Sequence, residues 1–189
     1  MATSTSRRAA SMPPDERRAA IIEAVRPLLI EHGDSVTTRQ IAGAAGIAEG
    51  TIFRVFTDKA ELLDAALDAA LDPAPFELSL RAIDPELPLE ERLVEATEII
   101  QQRVVNVWAL VSNHGSKHPQ HVRRPMTDSA ALAEIFAADA SRIRVEPVAA
   151  ARMLRALTLS LTHPMLAGEK LTAAEIVATV LHGIKGECE

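Results

Sequence analysis

Residues 37–59, TTRQIAGAAGIAEGTIFRVFTDK, constrain this chain more than any other stretch. Thr37-Thr38-Arg39-Gln40 has the pattern of a capping box, in which a threonine hydroxyl accepts from the first turn and Gln40 reaches back. The helix it opens is short and stops at Gly46, a residue able to take the left-handed conformation that a sharp helix-helix turn requires. Ala42 is small enough to let the next helix lie close, and that helix is expected over roughly 49–55. Ile41, Ile47, Ile52 and Phe56 are spaced to fill the angle between the two, leaving Glu49, Gly50, Thr51, Phe53 and Arg54 on the outer face. That is the pattern of a helix-turn-helix, whose second helix enters the DNA major groove in proteins that read DNA this way. An Ala-Gly-Ile turn alone is common in helical proteins; the turn, the caps and the amphipathic pattern together carry the reading.

Composition agrees with an all-α chain. Ala and Leu dominate the 189 residues, Tyr is absent and aromatics make up 3%, which favours helix over sheet. A formal charge of −6 suits a DNA binder only once it is divided. Residues 1–60 hold eight Arg/Lys against seven Asp/Glu, and the remainder twelve against nineteen, so the first part is +1 and the rest −7. A solvated acidic face gives the same count. Cys188 is the single cysteine, so no internal disulfide is possible. The start MATSTSRR lacks the apolar core of a secretory signal, and no apolar run is long enough for a membrane span, so a cytoplasmic protein with no membrane partner is expected.

Three regions follow from the pattern: an arm at 1–13, a DNA-binding domain at 14–71, and a helical regulatory and dimerisation domain at 72–189. A first helix is expected from about Asp15 to His32, kinked at Pro27 and stopped by Gly33. Asp58-Lys59-Ala60-Glu61 reads as another capping box, opening a helix to about Leu71. Four prolines between 72 and 88 read as a linker. A long helix from about Leu89 to Asn113 should follow, with Leu89, Leu93, Ala96, Ile100, Val104 and Val107 on one stripe. The remaining expected elements are a loop at 114–125 and helices from about Asp128 to Arg142, Pro147 to Thr162 and Ala173 to Ile184.

The segment from Arg18 to Leu71 resembles the DNA-binding region of the TetR family of bacterial transcriptional regulators. It carries "Arg…Ile-Ile-x-Ala", "His-Gly…Thr-Thr…Ile-Ala-x-Ala-Gly-Ile" and "Gly-Thr-Ile-Phe-x-x-Phe-x-x-Lys…Leu-Leu" in that order. The closing "Leu-Thr-Ala-Ala-Glu-Ile-Val…Leu-His-Gly-Ile" is also similar. The resemblance implies that Thr38 and Lys59 sit at helix N-termini facing phosphates, where free N–H groups and the helix dipole favour an anion. It places Gly50, Thr51 and Arg54 in the groove, with Arg54 the candidate reader of a guanine edge and Arg39 a further phosphate or base contact. Simple solvation is the competing reading of both arginines. Two positions depart from the family: Phe53 stands where Tyr is usual and Ala48 where Ser often caps the helix, both pointing to weaker DNA binding. Arg7, Arg8, Arg17 and Arg18 could follow the backbone as an arm, or be a disordered tail.

Other chemistry is thin. His114, His118 and His121 have loose metal-ligand spacing, but without a nearby cysteine the solvated reading is preferred, and no cofactor, metal or enzyme activity is expected. The leading expectation is a homodimeric repressor, released from a near-palindromic operator in double-stranded DNA by an apolar small molecule. The alternative is a constitutive or architectural dimeric DNA binder. Gln101, Trp108, Met126 and Phe136 are the candidate ligand contacts, each also readable as ordinary core. Ile176, Val177, Val180, Leu181 and Ile184 form the apolar stripe expected at the dimer interface.

Overall fold

The computed structural model describes residues 13–113 and 128–183, and every described element is helical. The chain divides between Ala69 and Ala70 into two compact units.

In the first unit, α1 spans Pro14–His32, with Pro14 in the first turn, where its missing N–H is no loss. The helix continues past Pro27, which lies on its exposed side, so the carbonyl that Pro27 cannot bond is free to meet water. A short 3-10 turn at Gly33–Ser35 leads to α2 (Thr38–Ala45) and α3 (Glu49–Ile52), and α4 follows at Lys59–Leu71. The core is Ile21, Val25 and Leu29 of α1 against Ile41, Ile52 and Phe56, all buried, with Leu62 and Leu63 of α4. Ile47 is only half-buried. Truncating a side chain such as Phe56 to alanine would cost about 3–5 kcal/mol.

The second unit contains α5 (Ala74–Arg81), α6 (Leu89–Asn113), α7 (Ala130–Ala137), α8 (Pro147–Thr162) and α9 (Ala173–His182). The expected linker is thus partly a helix. Pro73 caps α5 and Pro75 occupies its first turn, where no N–H is needed, while Asp72 accepts from the Ala74 N–H at 3.0 Å. The rest of α5 then buries Phe76 and Leu80. Glu77 accepts from the Ala131 N–H at 2.9 Å, so α5 caps the start of α7. The third-last helix is shorter than expected: α7 ends at Ala137, and a 3-10 turn covers Ala140–Arg142. Leu93, Ala96 and Ile100 of α6 meet Leu132 and Phe136 of α7 and Leu154 of α8 in one core. Arg92 is buried beside them, donating to the Leu87 and Ile135 carbonyls and paired with Asp139. No helix among the described residues is long and apolar enough to cross a membrane.

Candidate functional site

The turn between α2 and α3 is fixed at both ends by local chemistry. Thr37 caps α2 with both halves of the box: the Gln40 N–H donates to Thr37 Oγ1 at 3.2 Å, and the Thr37 N–H donates to Gln40 Oε1 at 2.8 Å. At the other end Gly46 is left-handed, with φ 65°. Its N–H donates to the Gly43 carbonyl at 3.2 Å and that of Ile47 to the Ala42 carbonyl at 3.0 Å, the paired bonds of a Schellman ending. A Cβ at Gly46 would meet open space, so the constraint is the backbone angle alone.

The second helix is shorter than the sequence led us to expect. Its regular part ends at Ile52, and Phe53, Arg54 and Val55 continue as turns, with Arg54 N–H donating to Thr51 at 3.2 Å. Ala48, at the cap, offers no side-chain acceptor, which leaves this short helix without the bond a serine would make. Gly50, Phe53 and Arg54 are exposed and Thr51 is half-buried. Arg39 is exposed too, and among the described residues neither the Arg39 nor the Arg54 side chain has a hydrogen-bond or ion-pair partner.

Thr38 and Lys59 are both engaged. The Thr38 hydroxyl donates to the carboxylate of Glu49, joining the first residue of α2 to the first of α3. Lys59 Nζ donates to the Asp34 carbonyl at 2.5 Å, holding the start of α4 against the 3-10 turn. Asp58 caps α4 by accepting from the Glu61 N–H at 2.8 Å, but Glu61 reaches back one residue further than expected, to the N–H of Thr57 at 2.7 Å. These bonds from Thr57, and then Arg18, hold the Glu61 carboxyl below its ordinary range.

Arg18 is not an arm residue. Its guanidinium donates to the Val55 carbonyl at 3.2 Å, pairs with Glu61 at 3.1 Å and lies 4.3 Å from the centre of the Phe56 ring. It ties α1 to the segment that follows α3. Arg7 and Arg8 lie outside the described residues, as do Met126, Ile184 and the His114, His118 and His121 group.

In the second unit, Gln101 Nε2 donates to the Leu171 carbonyl at 3.0 Å, at the edge of a cavity of about 360 Å³ between α6 and the segment joining α8 to α9. Glu98, Gln102, Thr162 and Lys170 share its wall with Gln101. Trp108 and Phe136 do not line it. The Trp108 ring packs edge-on to His163 with centroids 4.4 Å apart, and Phe136 is sealed in the core. The aromatic residues are taken up by packing, so the wall is more mixed than the apolar pocket expected. Of the described residues of the C-terminal stripe, Ile176 and Val177 are fully buried within their own unit, and Val180 and Leu181 keep part of their surface. Among the described residues no group of His, Cys, Asp and Glu is arranged to hold a metal.

A model of the bacterial regulatory proteins of the tetR family matches residues 21–66, the span from the core face of α1 to α4. The chain has the fold of a TetR-family helix-turn-helix regulator. A putative TetR-family regulator from Mesorhizobium loti is similar over 92% of this chain and 95% of its own, at 19% identity and a TM-score of 0.57. LfrR, a TetR-like regulator from Mycobacterium smegmatis in complex with proflavine, matches over 93% and 100% at 21% identity and a TM-score of 0.52. A TetR-family regulator from Streptomyces coelicolor matches over 90% and 79%, at 21% identity and 0.53. The matched span covers the helix-turn-helix of the first unit.

Proposed function

We propose that this protein is a dimeric, sequence-specific repressor that a small molecule releases from its operator. The observation that carries the reading half of this proposal is the pair of exposed arginines whose side chains have no partner among the described residues, Arg39 in the first turn of α2 and Arg54 in the turn that follows α3. An unpaired guanidinium is suited to bidentate contact with a guanine edge or a phosphate. Gly50 stands beside them with no side chain to hold a backbone or base away. Thr38, Thr51, Phe53 and Lys59 complete the proposed contact set.

A second copy would close on the outer faces of α8 and α9. Ala149, Met153, Ala156 and Ser160 recur at steps of three and four on α8, and Met153 is 55% exposed. Ala174, Ala178 and Leu181 do the same on α9. Small residues let helices approach closely, and a two-fold contact would space two readers by one DNA turn, about 34–36 Å. Ile176 and Val177 support this surface from beneath.

That LfrR binds proflavine on a similar fold supports a small-molecule effector here. Selection of bound fragments from the source genome tests the proposal, followed by footprinting of the winners with and without candidate effectors. Near-palindromic sites protected over two adjacent major grooves are expected. Sequence-independent binding, or a monomer on each site, would overturn the reading.

A further inference from the structure

We infer that Arg18 is a positioning residue for base reading: from α1 it sets the path of the chain leaving α3, and so the backbone from which Arg54 projects. The inference rests on the proposed reading of DNA by this helix-turn-helix and adds the residue that aims it. The need for such a residue follows from how little holds the second helix locally. Helix α3 has four residues, Glu49–Ile52, and Ala48 gives it no side-chain cap. So short a helix has no stability of its own in water, because its first turn fixes several dihedrals for a single hydrogen bond. Arg54 lies beyond it, in the turn that follows.

Arg18 supplies the missing hold. Its Nη1 donates to the Val55 carbonyl at 3.2 Å, one residue past Arg54. The same nitrogen pairs with Glu61 Oε1 at 3.1 Å. The guanidinium carbon lies 4.3 Å from the centre of the Phe56 ring, which is buried. Glu61 extends the hold through its other oxygen, Oε2, which accepts from the Thr57 N–H at 2.7 Å and the Thr57 hydroxyl at 2.9 Å. Residues 55, 56 and 57 are thus each gripped by Arg18 or by the carboxylate it pairs with. Buried Ile52 anchors the near end, its carbonyl accepting from the N–H groups of both Val55 and Phe56 at 2.9 Å. Arg54 stands between these two fixed points, its own side chain exposed.

This arrangement bears on sequence discrimination more than on adhesion. A side chain meeting a phosphate can adapt through its flexible stem, whereas a bidentate contact with a base edge tolerates only about 0.5 Å of misplacement. Slack at residues 55–57 therefore costs the base contact and leaves phosphate attraction nearly intact. Arg18 is itself half-buried and turned to protein partners. An arginine suits the post better than a lysine, since a planar guanidinium can lie over a ring while donating at its edge to two oxygens.

Fluorescence anisotropy of the full chain tests this, on the duplex won by genomic selection and on a scrambled duplex of the same composition. Arg18→Met should lower affinity for the selected duplex about tenfold, leave the scrambled one within about twofold and keep the salt dependence. Combined with Arg54→Ala it should cost little beyond Arg54→Ala alone, because the two act on one contact. In a variant with wild-type circular dichroism, equal weakening of both duplexes or an additive double variant overturns the inference. The first marks a phosphate contact or a general loosening, the second two independent roles. Arg18→Lys keeps a charge and one bond, and decides the matter where Arg18→Met does not fold. Its selected-to-scrambled ratio should fall about threefold, and a wild-type ratio overturns the inference. A wild-type chain that prefers no duplex removes the proposed reading and this inference together. A wild-type chain that discriminates, beside an Arg18→Met that does so equally well, removes this inference alone.

Discussion

Thr38 and Glu49 are joined, hydroxyl to carboxylate, across the turn that separates α2 from α3. Both belong to the face proposed to meet DNA, and the carboxylate both occupies the hydroxyl and repels phosphate. Glu49→Gln should therefore tighten binding to operator and scrambled duplexes alike, by about 1 kcal/mol at low salt. Fluorescence anisotropy at several salt concentrations measures this. Weaker binding confined to the operator would instead make Glu49 a reader of a cytosine amino group.

The two exposed glycines flanking this turn should separate from the one that makes it. Gly50 has open space around its missing Cβ and no positive φ, so Gly50→Ala should raise stability by up to about 1 kcal/mol through helix propensity. If DNA lies close there, the same change should weaken operator binding. Gly43→Ala should stabilise similarly, whereas Gly46→Ala should cost about 1–2 kcal/mol, because its left-handed backbone resists a Cβ. Thermal unfolding beside DNA titration checks all three.

Arg54→Ala should cost about 1–3 kcal/mol on operator DNA and relax sequence preference if the guanidinium reads a base edge, and no hydrogen bond or ion pair of its side chain among the described residues is lost with it. Lys59→Ala should weaken all sequences alike and also lower the melting temperature, because Nζ is bonded to the Asp34 carbonyl. An unchanged operator-to-scrambled ratio for Arg54→Ala would remove it from base reading.

What the sequence made legible were the features closed within a few residues. The box at Thr37–Gln40 and the stop at Gly46 are side-chain or backbone bonds spanning three to five positions, and each is where the pattern put it. The Arg18–Glu61 tie and the Gln101–Leu171 bond span 43 and 70 positions, and no local pattern encodes them. Periodicity marked Ile176 and Val177 as part of an apolar stripe expected at a dimer interface, but a stripe does not say what buries it, and both are already buried in the single chain. Helix α5 was missed for another reason: proline breaks a helix in its interior but is welcome in its first turn.

Acid should destabilise the protein through three carboxyls held low. Thr57 and then Arg18 lower Glu61, Arg152 lowers Asp128, and the N–H and hydroxyl of Thr172 lower Glu175. The unfolded chain then takes up protons first as pH falls. Their contribution is complete above the ordinary carboxyl range, about pH 4, and is lost as pH descends through it toward the lowered values. Denaturant midpoints from about pH 6 to about pH 3 should fall, and less steeply for Glu175→Gln. A flat profile would contradict these assignments.

Met153→Glu should give a folded monomer if the outer face of α8 joins two copies, since Met153 is exposed in the single chain. Val177→Arg should instead unfold the second unit, because a guanidinium cannot be solvated at a fully buried position. Sedimentation paired with circular dichroism distinguishes the two, and a Met153→Glu dimer would dismiss this interface.

The helix hidden among the prolines also decides where the chain can be cut. A fragment ending at residue 88 would carry Phe76 and Leu80 without Leu93, Leu132 or Leu154, the residues that cover them in the intact protein. Two large apolar side chains would then lie bare on a short helix, inviting aggregation. Ending the fragment before Pro73 leaves that sticky surface behind with its own unit. Trypsin should likewise spare Arg81, whose guanidinium pairs with Glu134 on α7, so the region that resembles a flexible tether should behave in digestion as part of a folded body.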